Sequence, residues 1–142
     1  MEVKLAIAER IATPLKKMLD SQGLVQEYKG KPHVLIDGWS TLGTMLGVTP
    51  VTEWVKPMEE GETDAKYGFR ARVKLMKEDT VLAEVEHIAT SGGNQKEEFA
   101  VCSMAETRAT AKAYRKALGW IVKLAGYEGT PAEDMPDSMK DK

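Results

Sequence analysis

Apolar residues recur at two different periods along this chain, and the changes of period divide it into elements. Between residues 2 and 22, Leu5, Ile7, Ala8, Ile11, Leu15, Met18 and Leu19 fall at helical spacing. Pro14 interrupts them, which predicts a kink or two helices, with Thr13 as cap and Pro14 in the first turn of the second. Gly23 closes the segment. Residues 24–28 and 33–36 read as short strands about the turn Lys29-Gly30-Lys31-Pro32. Residues 38–47 then return to helical spacing, with Trp39, Leu42, Met45 and Leu46 on the side expected to be buried.

Three strands are predicted next, over 51–58, 66–77 and 81–90. The middle one alternates: Tyr67, Phe69, Ala71, Val73 and Leu75 share one face, and Arg70, Arg72 and Lys74 share the other. Ser91-Gly92-Gly93-Asn94 breaks the pattern, and Asn94 followed by Glu97 has the form of a helix cap with an acid reaching back. A helix is expected from about 95 to 125, about 45 Å long, stopped by Gly126. Beyond it Pro131 and Pro136 mark a frayed, acidic tail. The order is helix, β-hairpin, helix, β-meander, long helix. That predicts an α+β fold, an antiparallel sheet (hairpin plus three-stranded meander) packed against a long C-terminal helix. The expected organisation is an N-terminal helical segment at 1–23, an α+β domain at 24–126, and the tail at 127–142.

The last helix carries the most telling charge pattern. At about 100° per residue, Arg108, Lys112, Arg115, Lys116 and Lys123 gather within roughly a third of the circumference. Met104, Thr107, Ala111, Tyr114, Leu118, Ile121, Val122 and Ala125 form an apolar stripe on the opposite side. Acids near the start and bases near the end also follow the helix dipole, so a plain solvated face is one reading. A solvated face usually mixes signs one turn apart, and this one carries no acid after Glu106. Ala105, Ala109, Ala113 and Gly119 flank the stripe, where small side chains would let a phosphate backbone approach.

Composition changes the picture only in part. The 142 residues suit one domain with a real core, and the 42% hydrophobic and 30% charged content suits a soluble globular chain. The formal net charge of −2 argues against a protein that is basic throughout. It hides an uneven distribution: Glu59, Glu60, Glu62 and Asp64 crowd one loop, and Glu128, Glu133, Asp134, Asp137 and Asp141 crowd the tail. No apolar run approaches a membrane span, and the first ten residues do not resemble a secretion signal. The single cysteine, Cys102, fits a reducing, cytoplasmic setting.

Two readings compete for Arg70, Arg72 and Lys74. They could line the floor of a phosphate groove. Alternatively, a three-residue loop after Met76 would set Glu84 opposite Arg72 and Glu86 opposite Arg70 as a cross-strand ladder. Bases stack on aromatic side chains. Among Tyr28, Trp39, Trp54, Tyr67, Tyr114, Trp120 and Tyr127, most fall in apolar phase, and Trp120 alone lies at the edge of the cationic stripe. Enzyme chemistry finds little support. His33, His87 and Cys102 have no metal-ligand spacing, and Glu84-Val85-Glu86 lacks the accompanying lysine of a metal-dependent nuclease. Ser91-Gly92-Gly93-Asn94 lacks the lysine and hydroxyl ending of a phosphate-binding loop.

From about Leu24 to Gly126 the order of elements resembles the single-strand annealing proteins of homologous recombination, the superfamily of the eukaryotic protein Rad-fifty-two and many phage recombination proteins. Their signature helix is similar to Ala105-x-Thr107, then Lys112, Ala113 and Arg115, with Ala111 where a second basic residue is usual. The run from Ser103 to Gly119, the stretch from Leu124 to Pro136 and the Gly38-Trp39-x-Thr41-Leu42-Gly43 helix resemble a phage or mobile-element type. The resemblance implies a β-β-α-β-β-β-α core assembling as a homo-oligomer, in rings or arcs. It further implies that no cofactor is needed and that single-stranded DNA lies in a positive groove with Lys112 and Arg115 on phosphates, Arg108 and Lys116 extending the stripe. The expected function is single-stranded DNA binding and annealing, in recombination or repair, with a recombinase or replication protein as a further partner. A protein–protein module without DNA binding is the alternative, and a metal-dependent nuclease is a third.

Overall fold

Turn chemistry, more than strand content, decides how the two groups of strands are built. The computed structural model describes residues 2–91, 97–129 and 131–132, with side chains from residue 10 onward. The elements are α1 (Glu2–Ser21), β1 (Val25–Tyr28), β2 (Lys31–Val34), α2 (Ile36–Leu46), β3 (Val48–Pro57), β4 (Gly68–Lys77), β5 (Thr80–Thr90) and α3 (Glu98–Leu124). The fold is therefore α+β, with a two-stranded sheet, a three-stranded antiparallel sheet and a long C-terminal helix. Cap residues Gly92, Gly93 and Asn94, helix positions Gln95 and Lys96, and the tail from Glu133 lie outside the described residues. So do the side chains of Leu5, Ile7 and Ala8.

The chain forms two units, residues 1–46 with 114–142 and residues 47–113. In the first unit α1 runs as a single helix with Pro14 inside it, and not as the two helices that were one of the expectations. Proline there removes one backbone donor, and burial of Leu15 and Leu19 on the same helix offsets that loss. The hairpin turn is Lys29-Gly30, both at positive φ (52° and 78°), so Lys31 and Pro32 belong to β2 and not to the turn. Trp39 and Leu42 of α2 are fully buried, and the Trp39 indole N–H donates to the Val34 carbonyl at 3.1 Å. Met45, expected in the core, is exposed. The second half of α3 buries Tyr114, Leu118, Ile121 and Val122 in this unit.

α3 stops by a backbone device that Gly126 makes possible. With φ at 99°, Gly126 donates its N–H to the Lys123 carbonyl, and the next N–H, of Tyr127, reaches the Val122 carbonyl at 3.2 Å. The first residues of the expected tail are not frayed among those described. Tyr127, Gly129, Pro131 and Ala132 are buried, and Glu128 forms a parallel bridge with His33 while its N–H donates to the Pro32 carbonyl.

In the second unit β3, β4 and β5 pair in sequence order, all antiparallel. Phe69, Ala71, Val73 and Leu75 of β4 face the core, as alternation predicts, with Val85 and Ala89 of β5. The first half of α3 contributes Val101, Ala105 and Ala109, all at 0% exposure. The apolar line expected there ran through Met104 and Thr107, which are only half-buried. Residues that sit one turn apart with small side chains let helix and sheet approach closely, so alanines form the buried line and the longer side chains are left at its margin.

Candidate functional site

Arg70, Arg72 and Lys74 of β4 are spoken for. β4 and β5 join through the two-residue turn Glu78-Asp79, with Glu78 at φ 54°, and a bulge follows between Leu75 and Met76. The three-residue loop expected from the sequence is thereby corrected, and every partner moves by two. Glu86 stands opposite Arg72, Glu84 opposite Lys74, and Ile88 opposite Arg70. A second bulge, between Thr52 and Trp54 of β3, brings Glu53 to the same face. Arg72 meets Glu86 at 3.2 Å, Glu84 at 3.2 Å and Glu53 at 3.4 Å, while Glu53 also lies 3.9 Å from Lys74. Arg70 lies 3.7 Å from Glu62, a member of the acidic loop. Desolvation pulls the Arg72 guanidinium down, but Glu84, Glu86 and Glu53 outweigh it and hold its pKa above the ordinary arginine value. Lys56 rests over the Trp54 ring at 4.6 Å. This face is a charge ladder, the second of the two readings, although with shifted partners.

Along α3 the stripe is not uniform. In the unit of residues 47–113, Arg108 and Lys112 are half-buried. Ala105, Ala109 and Ala113, expected to flank an open groove, are fully buried, so they offer no close approach to a phosphate backbone. In the other unit Arg115, Lys116 and Lys123 are exposed, and so is Trp120, at 46%. Among the described residues none of Arg108, Lys112, Arg115, Lys116 and Lys123 forms an ion pair with a carboxylate. The sequence explains this locally, since no acid follows Glu106 within the helix.

Arg115, Gly119, Trp120, Lys123, Glu128 and Gly129 line one recess of about 290 Å³. Three of the expected site residues, Arg115, Trp120 and Lys123, are thus brought together. Gly119, also expected to flank an open groove, is buried one helical turn from each cation. A Cβ on Gly129 would fall 2.6 Å from Lys123 Cε and 3.5 Å from its Cδ and Cγ, so the lysine stem lies flat along the Gly129 backbone. The wall is anchored at Tyr127, whose hydroxyl donates to Asp20 Oδ1 at 2.7 Å. Burial raises the Tyr127 pKa well above that of free tyrosine, and the Asp20 carboxylate adds to the shift. Lys16 pairs with Asp20 at 3.7 Å and sits 5.3 Å from the Tyr127 ring centre.

Sequence reasoning missed Glu128 and Gly129, which it left in the acidic tail. The signal that finds them is the return of the chain onto β2, a long-range pairing with no local motif. Glu84 and Glu86, weighed as metal ligands, are both engaged by Arg72, and among the described residues no group of three or more His, Cys, Asp or Glu is placed to hold a metal ion. Among the same residues no helix is long and apolar enough to cross a membrane. Comparison with protein-family models, with curated proteins and with solved structures finds no match to this chain.

Proposed function

We propose that this protein binds single-stranded DNA through its phosphate backbone and promotes the annealing of complementary strands, acting as a homo-oligomer in recombination or repair. One observation carries the reading: Arg115, Lys116 and Lys123 stand open on α3 with no ion-pair partner among the described residues, beside an exposed Trp120. Fixed, unneutralised cations release counterions from a polyanion, and this term dominates backbone binding. An exposed indole adds stacking that tolerates any base. Phosphate contacts of this kind carry no sequence information and need no cofactor, and bases that are not stacked stay free to sample partners.

The test is titration of a labelled oligonucleotide against the wild-type chain and a Lys112→Ala/Arg115→Ala variant. Wild-type affinity is expected to fall with salt, with a log–log slope of about −0.7 per phosphate neutralised, and the variant to bind more weakly with a shallower slope. Unchanged binding in the variant discards the groove. A protein-docking module instead predicts no preference for single-stranded DNA over polyglutamate of matched charge. A nuclease predicts cleavage on adding magnesium, lost in Glu84→Ala.

A further inference from the structure

We infer that the recess on the second half of α3 is a subsite for a single nucleotide, its phosphate on Arg115 and Lys123 and its base against Trp120; the inference rests on the nucleic-acid reading above. Its volume of about 290 Å³ falls just below the roughly 300–1,000 Å³ typical of small-molecule pockets, which suits one nucleoside phosphate and not several. Arg115 and Lys123 lie two helical turns apart, with Gly119 between them contributing no side chain. Gly119 is buried, so it forms the floor of the recess between the two cations. Lys123 is not free to swing at random, because its stem lies along Gly129.

The other lining groups narrow the ligand class. A bare anion or a sugar phosphate would use the cations and leave the half-exposed indole idle. An apolar ring would use the indole and leave two charged groups without partners. Glu128 supplies a carboxylate acceptor in the same recess, beside the cations but in no ion pair with them among the described residues. A ligand with one anionic group, one flat ring and hydrogen-bond donors on the ring edge answers all of these, and a nucleotide has that set. Carboxylates accept from the amino groups of cytosine, adenine and guanine, whereas thymine presents carbonyl oxygens on either side of its one ring N–H. The subsite should therefore favour amino-bearing bases over thymine.

The experiment uses the full chain in a Trp54→Phe background, so that Trp120 is the exposed indole and Trp39 stays fully buried. Deoxyadenosine and deoxythymidine pentamers are titrated while tryptophan emission and the anisotropy of a labelled pentamer are both recorded. Emission should be quenched with the same midpoint as the anisotropy change, and the adenine pentamer should bind several times more tightly. Trp120→Ala should weaken binding about tenfold, and Trp120→Phe, which keeps an aromatic face, should restore most of it. Glu128→Gln should erase the base preference. Gly129→Ala keeps every charge but displaces Lys123, and should weaken binding. Binding that leaves the indole unquenched, or that ignores Trp120→Ala, overturns the subsite and leaves single-strand binding standing. Failure of the wild-type chain to bind any oligonucleotide overturns both.

Discussion

Two sets of basic residues with the same chemistry meet opposite fates in this molecule. On β4, Arg70, Arg72 and Lys74 are answered by Glu62, Glu53, Glu84 and Glu86, drawn from a loop and both neighbouring strands. On the second half of α3, Arg115, Lys116 and Lys123 form no ion pair among the described residues, although Glu128 lines the same recess as Arg115 and Lys123. The geometry of each element explains the difference. A strand in the middle of a sheet sees cross-strand partners on both sides, so three strands' worth of charge can be balanced on one face. An exposed helix face sees chiefly its own residues one turn away, and this helix supplies no acids there. Where charge is left unbalanced, and not where basic residues are most numerous, is the guide to a polyanion site.

The largest expected effect comes from neutralising each set in turn. Arg115→Gln/Lys123→Gln removes the two cations that share one phosphate, which at about 0.7 per phosphate on the log–log salt slope amounts to roughly fivefold in affinity at 0.1 M relative to 1 M salt. Arg72→Gln/Lys74→Gln should leave oligonucleotide affinity unchanged and lower the melting temperature at low salt, because Glu53, Glu84 and Glu86 are then left facing one another. Anisotropy titration at several salt concentrations reads the first, and thermal unfolding reads the second. Equal losses of affinity from the two pairs would erase the distinction between the regions.

A smaller effect of opposite sign sharpens the same contrast. Glu53→Gln/Glu84→Gln/Glu86→Gln leaves Arg72 and Lys74 without counter-charges on an exposed face. Oligonucleotide affinity should rise by a few-fold and depend more steeply on salt. If it does not, the β4 face is kept from nucleic acid by shape and not by pairing.

Much of the fold could be read from periodicity, and the misses share a cause. The alternation of Phe69 to Leu75 and the helical spacing of Tyr114 to Val122 correctly gave a strand and a helix with the right buried sides. The ladder partners were misplaced because turn length depends on Glu78 adopting a positive φ, which its residue type does not advertise, and on bulges that no local pattern reveals. Ala105 and Ala109 looked like an open flank because helical spacing cannot say which of two weakly apolar lines meets the sheet. Glu128 and Gly129 looked like tail because their pairing is with β2, distant in sequence. The unpaired cations, by contrast, were legible: lack of a compensating acid within one turn is a local property.

Tyr127 tests whether the α3 region depends on its anchored wall. Free tyrosine ionises near pH 10. Burial, and then the Asp20 carboxylate, keep Tyr127 protonated well above that in the fold. The unfolded chain loses the proton first, so the stabilising contribution is complete below about pH 10 and declines as the pH rises beyond it. Tyr127→Phe should cost about 1 kcal/mol at neutral pH through the lost hydrogen bond. It should also flatten the alkaline decline. Burial raises the Tyr114 pKa too, against a smaller opposing contribution from its hydrogen bond with Ser40, so part of the decline will remain. Denaturant unfolding of both proteins between pH 8 and pH 11 measures this.

Gly119→Ala separates stability from binding by the finest margin. A glycine inside a helix costs up to about 1 kcal/mol relative to alanine. Space does not forbid the change: a Cβ would meet the Gly129 carbonyl oxygen at 3.7 Å and Arg115 Cγ at 4.0 Å, both ordinary contacts. The melting temperature should therefore rise by about 3 °C. The same methyl enters between Arg115 and Lys123, on the floor of the recess. Oligonucleotide affinity should fall by about twofold while the protein becomes more stable, a combination that simple damage to the fold cannot produce. A gain in stability with no loss of affinity would mean that the gap between the two cations is not where the strand is held.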